Sequence, residues 1–173
     1  MTALARRIWL LRKAPLLTDL ELESVIALAE VTELQAVERH KVVYLEGDPS
    51  RHLVLVHGGR VKTFRSARPG RTIALAVHRA GGFFGELCLV GEQSRAEAAV
   101  AVAPSHLSLL PREALQALAE RSPQIAARLL ALSARQRQIL ERRLVGTLRT
   151  APGRVAELLL ENAESVADVD GTT

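Results

Sequence analysis

Gly81-Gly-Phe-Phe-Gly85-Glu86-Leu87, followed nine residues after Glu86 by Arg95, is the stretch that decides how this chain is read. Glycines let the backbone approach a ligand closely and free its N–H groups to point at it. A helical turn beginning at Gly85 aims unpaired N–H groups at an anion. Arg95 brings a guanidinium that forks onto phosphate oxygens. Glu86 brings two acceptor oxygens that suit a sugar hydroxyl. Charge of both signs on a short loop between apolar runs describes a site for a sugar phosphate. Gly85, Glu86, Leu87, Arg95 and Ala96 are the candidate ligand-binding residues. A structural ion pair between Glu86 and Arg95 is the competing reading.

Working outward, the flanks read as short strands. His52-Leu-Val-Leu-Val-His57 is an apolar run rich in β-branched residues, and Gly58-Gly59 after it reads as a hairpin turn. Arg60–Arg65 alternates as a half-buried strand does. Arg68-Pro69-Gly70 turns the chain, and Thr72–Val77 resumes a strand. Ala98–Ala103 ends at Pro104, and Leu107–Leu110 ends at Pro111. Phe83 and Phe84 read as core plugs. Such punctuation predicts an antiparallel roll or sandwich.

Helices flank these strands. The chain to about Glu30 is helical, with Leu20, Leu22, Val25, Ile26 and Leu28 near one stripe and Thr18 or Asp19 as a cap. Pro111–Glu120 forms a short helix with proline in its first turn. Ser122-Pro123 starts a second helix that nothing breaks until about Gly146. Ile125, Leu129, Leu132, Gln136 and Ile139 keep the spacing of a coiled-coil seam. Roughly 25 helical residues span about 40 Å, longer than a small β-roll, so a homodimer is expected. Arg135, Arg137, Arg142 and Arg143 read as the solvated flank of that helix. Beyond Thr150-Ala-Pro-Gly153, Arg154–Asn162 reads as one more amphipathic helix and Ser165–Thr173 as a loop or frayed end.

The 173 residues are 48% hydrophobic but only 3% aromatic, so the core must be aliphatic. A formal charge of +4 is compatible with a nucleic-acid partner without requiring one. The single cysteine, Cys88, rules out a disulfide framework or an iron–sulfur cluster and fits a reducing cytoplasm. Cys88 lies on an apolar run and reads as a buried structural thiol. The histidines at 40, 52, 57, 78 and 106 show no metal-ligand signature. Nothing reaches the ~20 apolar residues of a membrane span, so no membrane partner is expected. No nucleophile–base set appears, so neither an enzyme nor a catalytic or metal site is expected.

Gly-x-x-x-Gly-Glu-Leu followed by a loop and arginine resembles the phosphate-binding cassette of cyclic-nucleotide-binding domains. The likeness extends upstream to Tyr44-Leu-Glu-Gly-Asp48, His52–Val56 and Gly58-Gly59-Arg60-Val61. It continues through the Pro123 helix to Gly153-Arg154-Val155-Ala156, which resembles the start of a winged helix-turn-helix. The ordered set resembles transcription regulators of the cyclic-AMP receptor/FNR family. That resemblance implies a mainly β, α+β fold: an antiparallel β-roll or jelly roll of the cyclic-nucleotide-binding type plus a long C-terminal dimerisation helix. It divides the chain into a roll with N-terminal helices (1–121), the dimerisation helix (122–149) and an incomplete DNA-binding domain (150–173). It also implies that Glu86 binds a ribose 2′-hydroxyl and Arg95 a cyclic phosphate, helped by amides around Gly85. DNA and RNA polymerase are then partners only through the full-length protein.

Three features depart from the family's cyclic-AMP binders. Ala96 stands where they carry Ser or Thr, and Glu97 adds negative charge beside the anion site. Ile139-Leu140-Glu141 offers no short hydroxyl to an adenine ring. Arg-Ala-Glu-Ala also resembles members that do not respond to cyclic AMP. No cofactor is implied with certainty; cyclic AMP or another cyclic nucleotide is the candidate effector. A ligand-independent dimeric regulator and a stand-alone nucleotide-binding module stay open beside the sensor.

Overall fold

A computed structural model describes residues 2–68, 70–91 and 93–147. The sequence expectations for Arg154–Asn162 and for 150–173 lie outside them. The chain divides into two compact units, 1–130 and 131–173.

The first unit begins with α1 (Ala3–Arg12), a 3-10 turn (Pro15–Leu17) and α2 (Leu22–Val31). The hydroxyl of Thr2 caps α1 by accepting from the Ala5 N–H at 3.2 Å. Arg7 then donates to the carbonyls of Ala29 and Glu30 at 2.8 and 3.1 Å. A cation there satisfies carbonyls left over at the C-terminus of α2. Two expectations fail in this region. Glu21, not Thr18 or Asp19, stands at the N-cap of α2, and it makes no side-chain cap bond. The Thr18 hydroxyl instead donates back to the Ala14 and Pro15 carbonyls, and Asp19 pairs with Arg128 at 3.2 Å. Leu22 also leaves the apolar stripe: it is exposed, while Val25, Leu28 and Ala29 are buried.

Six strands follow: β1 (Glu33–Val37), β2 (Val42–Tyr44), β3 (His52–Arg68), β4 (Arg71–Arg79), β5 (Phe83–Phe84) and β6 (Ala98–Pro111). All pairings are antiparallel. β6 lies between β3 on one side and β1 and β2 on the other. The first half of β3 pairs with β5, and its second half pairs with β4.

Gly58-Gly59 does not turn the chain, as the sequence suggested. β3 runs straight through it, and the register against β6 shifts on either side. Gly59 has φ +83°, and a Cβ there would strike the Pro104 carbonyl and Ser105. The pair therefore forms a bulge, which bends a strand without ending it. Pro104 likewise does not end a strand: β6 passes through it. A proline lacks an N–H to pair, and it sits opposite the irregular stretch of β3 where the ladder is already broken. Ser105 closes the bulge by accepting from the Arg60 N–H at 3.1 Å.

Leu53 to Val56 are all at most 1% exposed, so this run is covered on both faces. Val54 and Val56 join Val61, Phe84, Ala99, Ala101 and Leu107 in the core of the roll. Leu53 faces the helices and lines an apolar cavity of about 200 Å³ with Leu16, Leu115 and Ile125. Burying each such aliphatic side chain stabilises the fold by about 1.5–3 kcal/mol.

α3 (Arg112–Arg121) has Pro111 at its N-cap rather than inside its first turn. α4 spans Pro123–Thr147 with Pro123 as its first residue. Ile125, placed in the seam by its spacing, is 3% exposed in the single chain. Its side chain is already committed to the first unit's own core. In the second unit α4 continues from Ala131 as an exposed helix. Leu132 and Gln136 are half-buried, and Ile139, Leu144 and Val145 are exposed. Arg137 and Glu141 pair on its surface at 3.1 Å.

Candidate functional site

Gly85 ends β5 and opens a 3-10 turn over Glu86–Val90. Its φ of +77° lies in the left-handed region, which glycine tolerates best. A Cβ at this position would also collide with the guanidinium of Arg95. Gly85 is thus fixed by two independent requirements, backbone sign and space.

Arg95 is held from behind by the loop after β2. The Leu45 N–H donates to the Asp48 carboxylate at 2.8 Å, tightening that loop. The Arg95 N–H donates to the Asp48 carbonyl at 2.7 Å, and the Gly47 N–H donates to the Arg95 carbonyl at 2.9 Å. The stretch Tyr44–Asp48 therefore serves the site by clamping the arginine's backbone.

The Arg95 side chain is 6% exposed together with its backbone and turns inward. One terminal nitrogen donates to the Gly85 carbonyl at 3.2 Å and the other to the His52 carbonyl at 2.7 Å. The guanidinium lies over the Tyr44 ring, 4.2 Å from its centroid. Its Nε is buried without a hydrogen-bond partner among the described residues. The competing ion pair is not how this arginine is satisfied: neutral carbonyls, not Glu86, take its bonds.

Glu86 and Glu97 flank this cation, both half-buried. Burial pushes both carboxyls above the usual carboxylate range, and the charge of Arg95 works against the rise in each. Glu97 accepts from the Tyr44 hydroxyl at 3.1 Å, and the Thr63 side chain also bonds to it. Thr63 lies in turn 3.2 Å from His78 Nε2. His78 packs on Phe84 at 5.0 Å between ring centroids, and burial lowers its imidazole to about 4. A buried polar chain thus runs from Arg95 through Tyr44, Glu97 and Thr63 to His78.

Of the five residues expected at the site, Gly85, Glu86 and Arg95 come together. Ala96 is half-buried beside them and offers only backbone polar atoms. Leu87 is the most open of the five, at 43% exposed. Reasoning from the sequence missed Tyr44, Thr63 and the His52 carbonyl as partners. Tyr44 is the only tyrosine in the chain, but nothing local announces that its ring carries Arg95. Phe83 and Phe84 are core residues, each 1% exposed, and Cys88 is fully buried with its thiol pushed up to about 11. Among the described residues no group of His, Cys, Asp and Glu could hold a metal ion, and no helix is long and apolar enough to cross a membrane.

The antiparallel roll thus carries a glycine-bounded turn with a buried arginine bonded to its first residue. A model of the cyclic nucleotide-binding domain matches residues 34–122. The chain is 33% identical to the cyclic AMP receptor protein of Thermus thermophilus, over 87% of this chain and 70% of that one. It is 29% identical to a CRP-like cAMP-activated global transcriptional regulator of Mycobacterium tuberculosis, over 94% of this chain and 73% of that one. The crystal structure of Thermus thermophilus catabolite activator protein superimposes with a TM-score of 0.63 at 35% identity, covering 76% of this chain. The match spans 62% of that structure's own length. The chain belongs to the cyclic nucleotide-binding domain family, with the transcription regulators of the cyclic-AMP receptor/FNR type.

Proposed function

We propose that this chain is the effector-sensing and dimerisation part of a DNA-binding transcription regulator. Its effector site is the cassette of Gly85, Glu86, Leu87, Arg95 and Ala96, and a cyclic nucleotide is the candidate effector. The observation that carries the reading is Arg95: a buried guanidinium whose two carbonyl bonds can be exchanged for phosphate oxygens. Its unpartnered Nε–H offers a third donor. The carbonyl bonds are already charge-assisted from the donor side, and a phosphate adds the opposite charge on the acceptor, so the exchange gains Coulombic attraction. Glu86 supplies two carboxylate oxygens as acceptors for a sugar hydroxyl.

In this reading residues 1–121 form the sensing roll and α4 the dimerisation helix; the division expected at 149 and the segment 150–173 lie outside the described residues. The apolar residues Ile139, Leu144 and Val145, exposed on α4, support a second copy as the helix's partner. Leu129, Leu132 and Gln136 belong to the same seam. The effector acts by binding one dimer geometry better than another, which shifts the population between them. DNA and RNA polymerase are partners of the full-length protein.

A second reading, a ligand-independent dimer, draws on the same arginine, since its terminal nitrogens already have partners within the chain. Thermal unfolding with and without millimolar cyclic AMP separates the two. A ligand at 100 times its dissociation constant adds about 2.7 kcal/mol. The sensor reading expects a rise in Tm for the wild type and none for Arg95→Ala. No rise with cyclic AMP or cyclic GMP favours the ligand-independent dimer.

A further inference from the structure

We infer that Glu97 sets the ligand selectivity of the cassette: its carboxylate holds Tyr44 beneath Arg95 and adds a second negative charge beside the arginine and Glu86. This rests on the reading of the cassette as an effector site. Two observations carry it. First, Glu97 is tied at both ends of the buried polar chain. It takes the Tyr44 hydroxyl at 3.1 Å and the Thr63 side chain, so the carboxylate is fixed inside the roll rather than free to swing into solvent. Second, the ring anchored by that bond is the surface on which Arg95 lies.

An incoming cyclic phosphodiester must draw Arg95 from the Gly85 and His52 carbonyls while facing two carboxylates, Glu86 and Glu97, against one guanidinium. Glu86 has a use for such a ligand, because it accepts a sugar hydroxyl. Glu97 spends its contacts inside the chain, on the ring beneath Arg95, and its charge works against the anion. A like charge about 6 Å away weakens binding by roughly 100-fold at an effective dielectric constant near 20, and by less where water intrudes. The wild-type cassette thereby binds a cyclic phosphate more weakly than it would with a neutral residue at position 97, and the residue two after the binding arginine is the control point.

The test is equilibrium binding of cyclic AMP to the full chain and to Glu97→Gln, Glu97→Ala and the double variant E97Q/R95A. Glu97→Gln keeps an oxygen for the Tyr44 hydroxyl and removes only the charge. Glu97→Ala removes both, and thermal unfolding of each variant checks that it is folded. The inference expects affinity roughly 10- to 100-fold tighter in Glu97→Gln, and loss of that gain in E97Q/R95A. Equal affinity in wild type and Glu97→Gln overturns the role of Glu97; if Arg95→Ala alone still abolishes binding, the effector-site reading survives. A gain that persists in E97Q/R95A also overturns it, because the ligand is then bound elsewhere. Absence of binding in every folded variant overturns both this inference and the cyclic-nucleotide reading on which it rests.

Discussion

The Tyr44 ring carries the guanidinium of Arg95, with 4.2 Å between the cation and the ring centroid. The two residues are 51 positions apart, and the strand-and-loop clamp of Tyr44–Asp48 brings them together. The ring supports the guanidinium from one side while its terminal nitrogens donate to the Gly85 and His52 carbonyls. Tyr44→Leu is expected to remove that support and weaken any arginine-dependent ligand. Tyr44→Phe keeps the ring but leaves Glu97 without its hydroxyl donor, a loss of about 1 kcal/mol in stability. Urea unfolding of the two variants checks the ordering.

Gly85 bears both a left-handed backbone and a guanidinium against its α-carbon. Gly85→Ala is expected to destabilise the chain by about 1–3 kcal/mol, from strained backbone and steric overlap together. In the Arg95→Ala background the overlap with the guanidinium disappears, leaving the backbone strain and a 3.3 Å approach to the His52 carbonyl. The cost of Gly85→Ala should therefore be smaller there, and a double-mutant cycle by chemical denaturation reads the difference.

His78 makes stability depend on pH. Burial lowers its imidazole from 6.5 to about 4, so the folded state favours the neutral ring. The unfolded chain takes up the proton first as pH falls. Stability contributed by His78 is therefore complete above pH 6.5 and is lost as pH falls towards 4. Glu86 and Glu97 act in the opposite sense. Their carboxyls are raised in the fold, so they favour folding at low pH and oppose it as pH rises through the raised values. The difference in unfolding free energy between wild type and His78→Gln isolates the histidine: it should shrink between neutral pH and pH 4.

Two positions on α4 separate folding from assembly. Ile125→Ala empties a buried site and is expected to cost about 2–5 kcal/mol of stability. Ile139→Glu replaces an exposed apolar residue, so the isolated fold should tolerate it while a dimer built on α4 comes apart. Sedimentation of both variants beside thermal unfolding distinguishes the two effects. A dimer that survives Ile139→Glu places the interface elsewhere.

What was legible in the sequence was local. Alternation over Arg60–Arg65, the strand at Thr72–Val77 and the glycine-bounded cassette all follow from patterns a few residues long. Gly58-Gly59 misled because two glycines between apolar runs carry the same signal for a hairpin and for a bulge. Only the pairing with β6, about 45 residues away in sequence, decides between them. Pro104 misled for the same reason. Ile125 misled because seam spacing and core spacing on one helix are identical; burial against Leu16 and Leu53 is a tertiary fact. Arg95, Glu86 and Gly85 could be named from motif chemistry. Tyr44 could not be assigned its place, because its bond to Glu97 joins residues 53 positions apart.

The Nε–H of Arg95 gives the most direct test, since it is buried and has no hydrogen-bond partner among the described residues. Its ¹⁵N–¹H resonance can be recorded in arginine-labelled protein and identified by its loss in Arg95→Lys. If the cassette engages a cyclic phosphate through Arg95, titration with cyclic AMP will move that resonance in step with the rise in Tm. A rise in Tm with the Arg95 resonance unmoved would contradict the account, because the ligand would then be held by other residues.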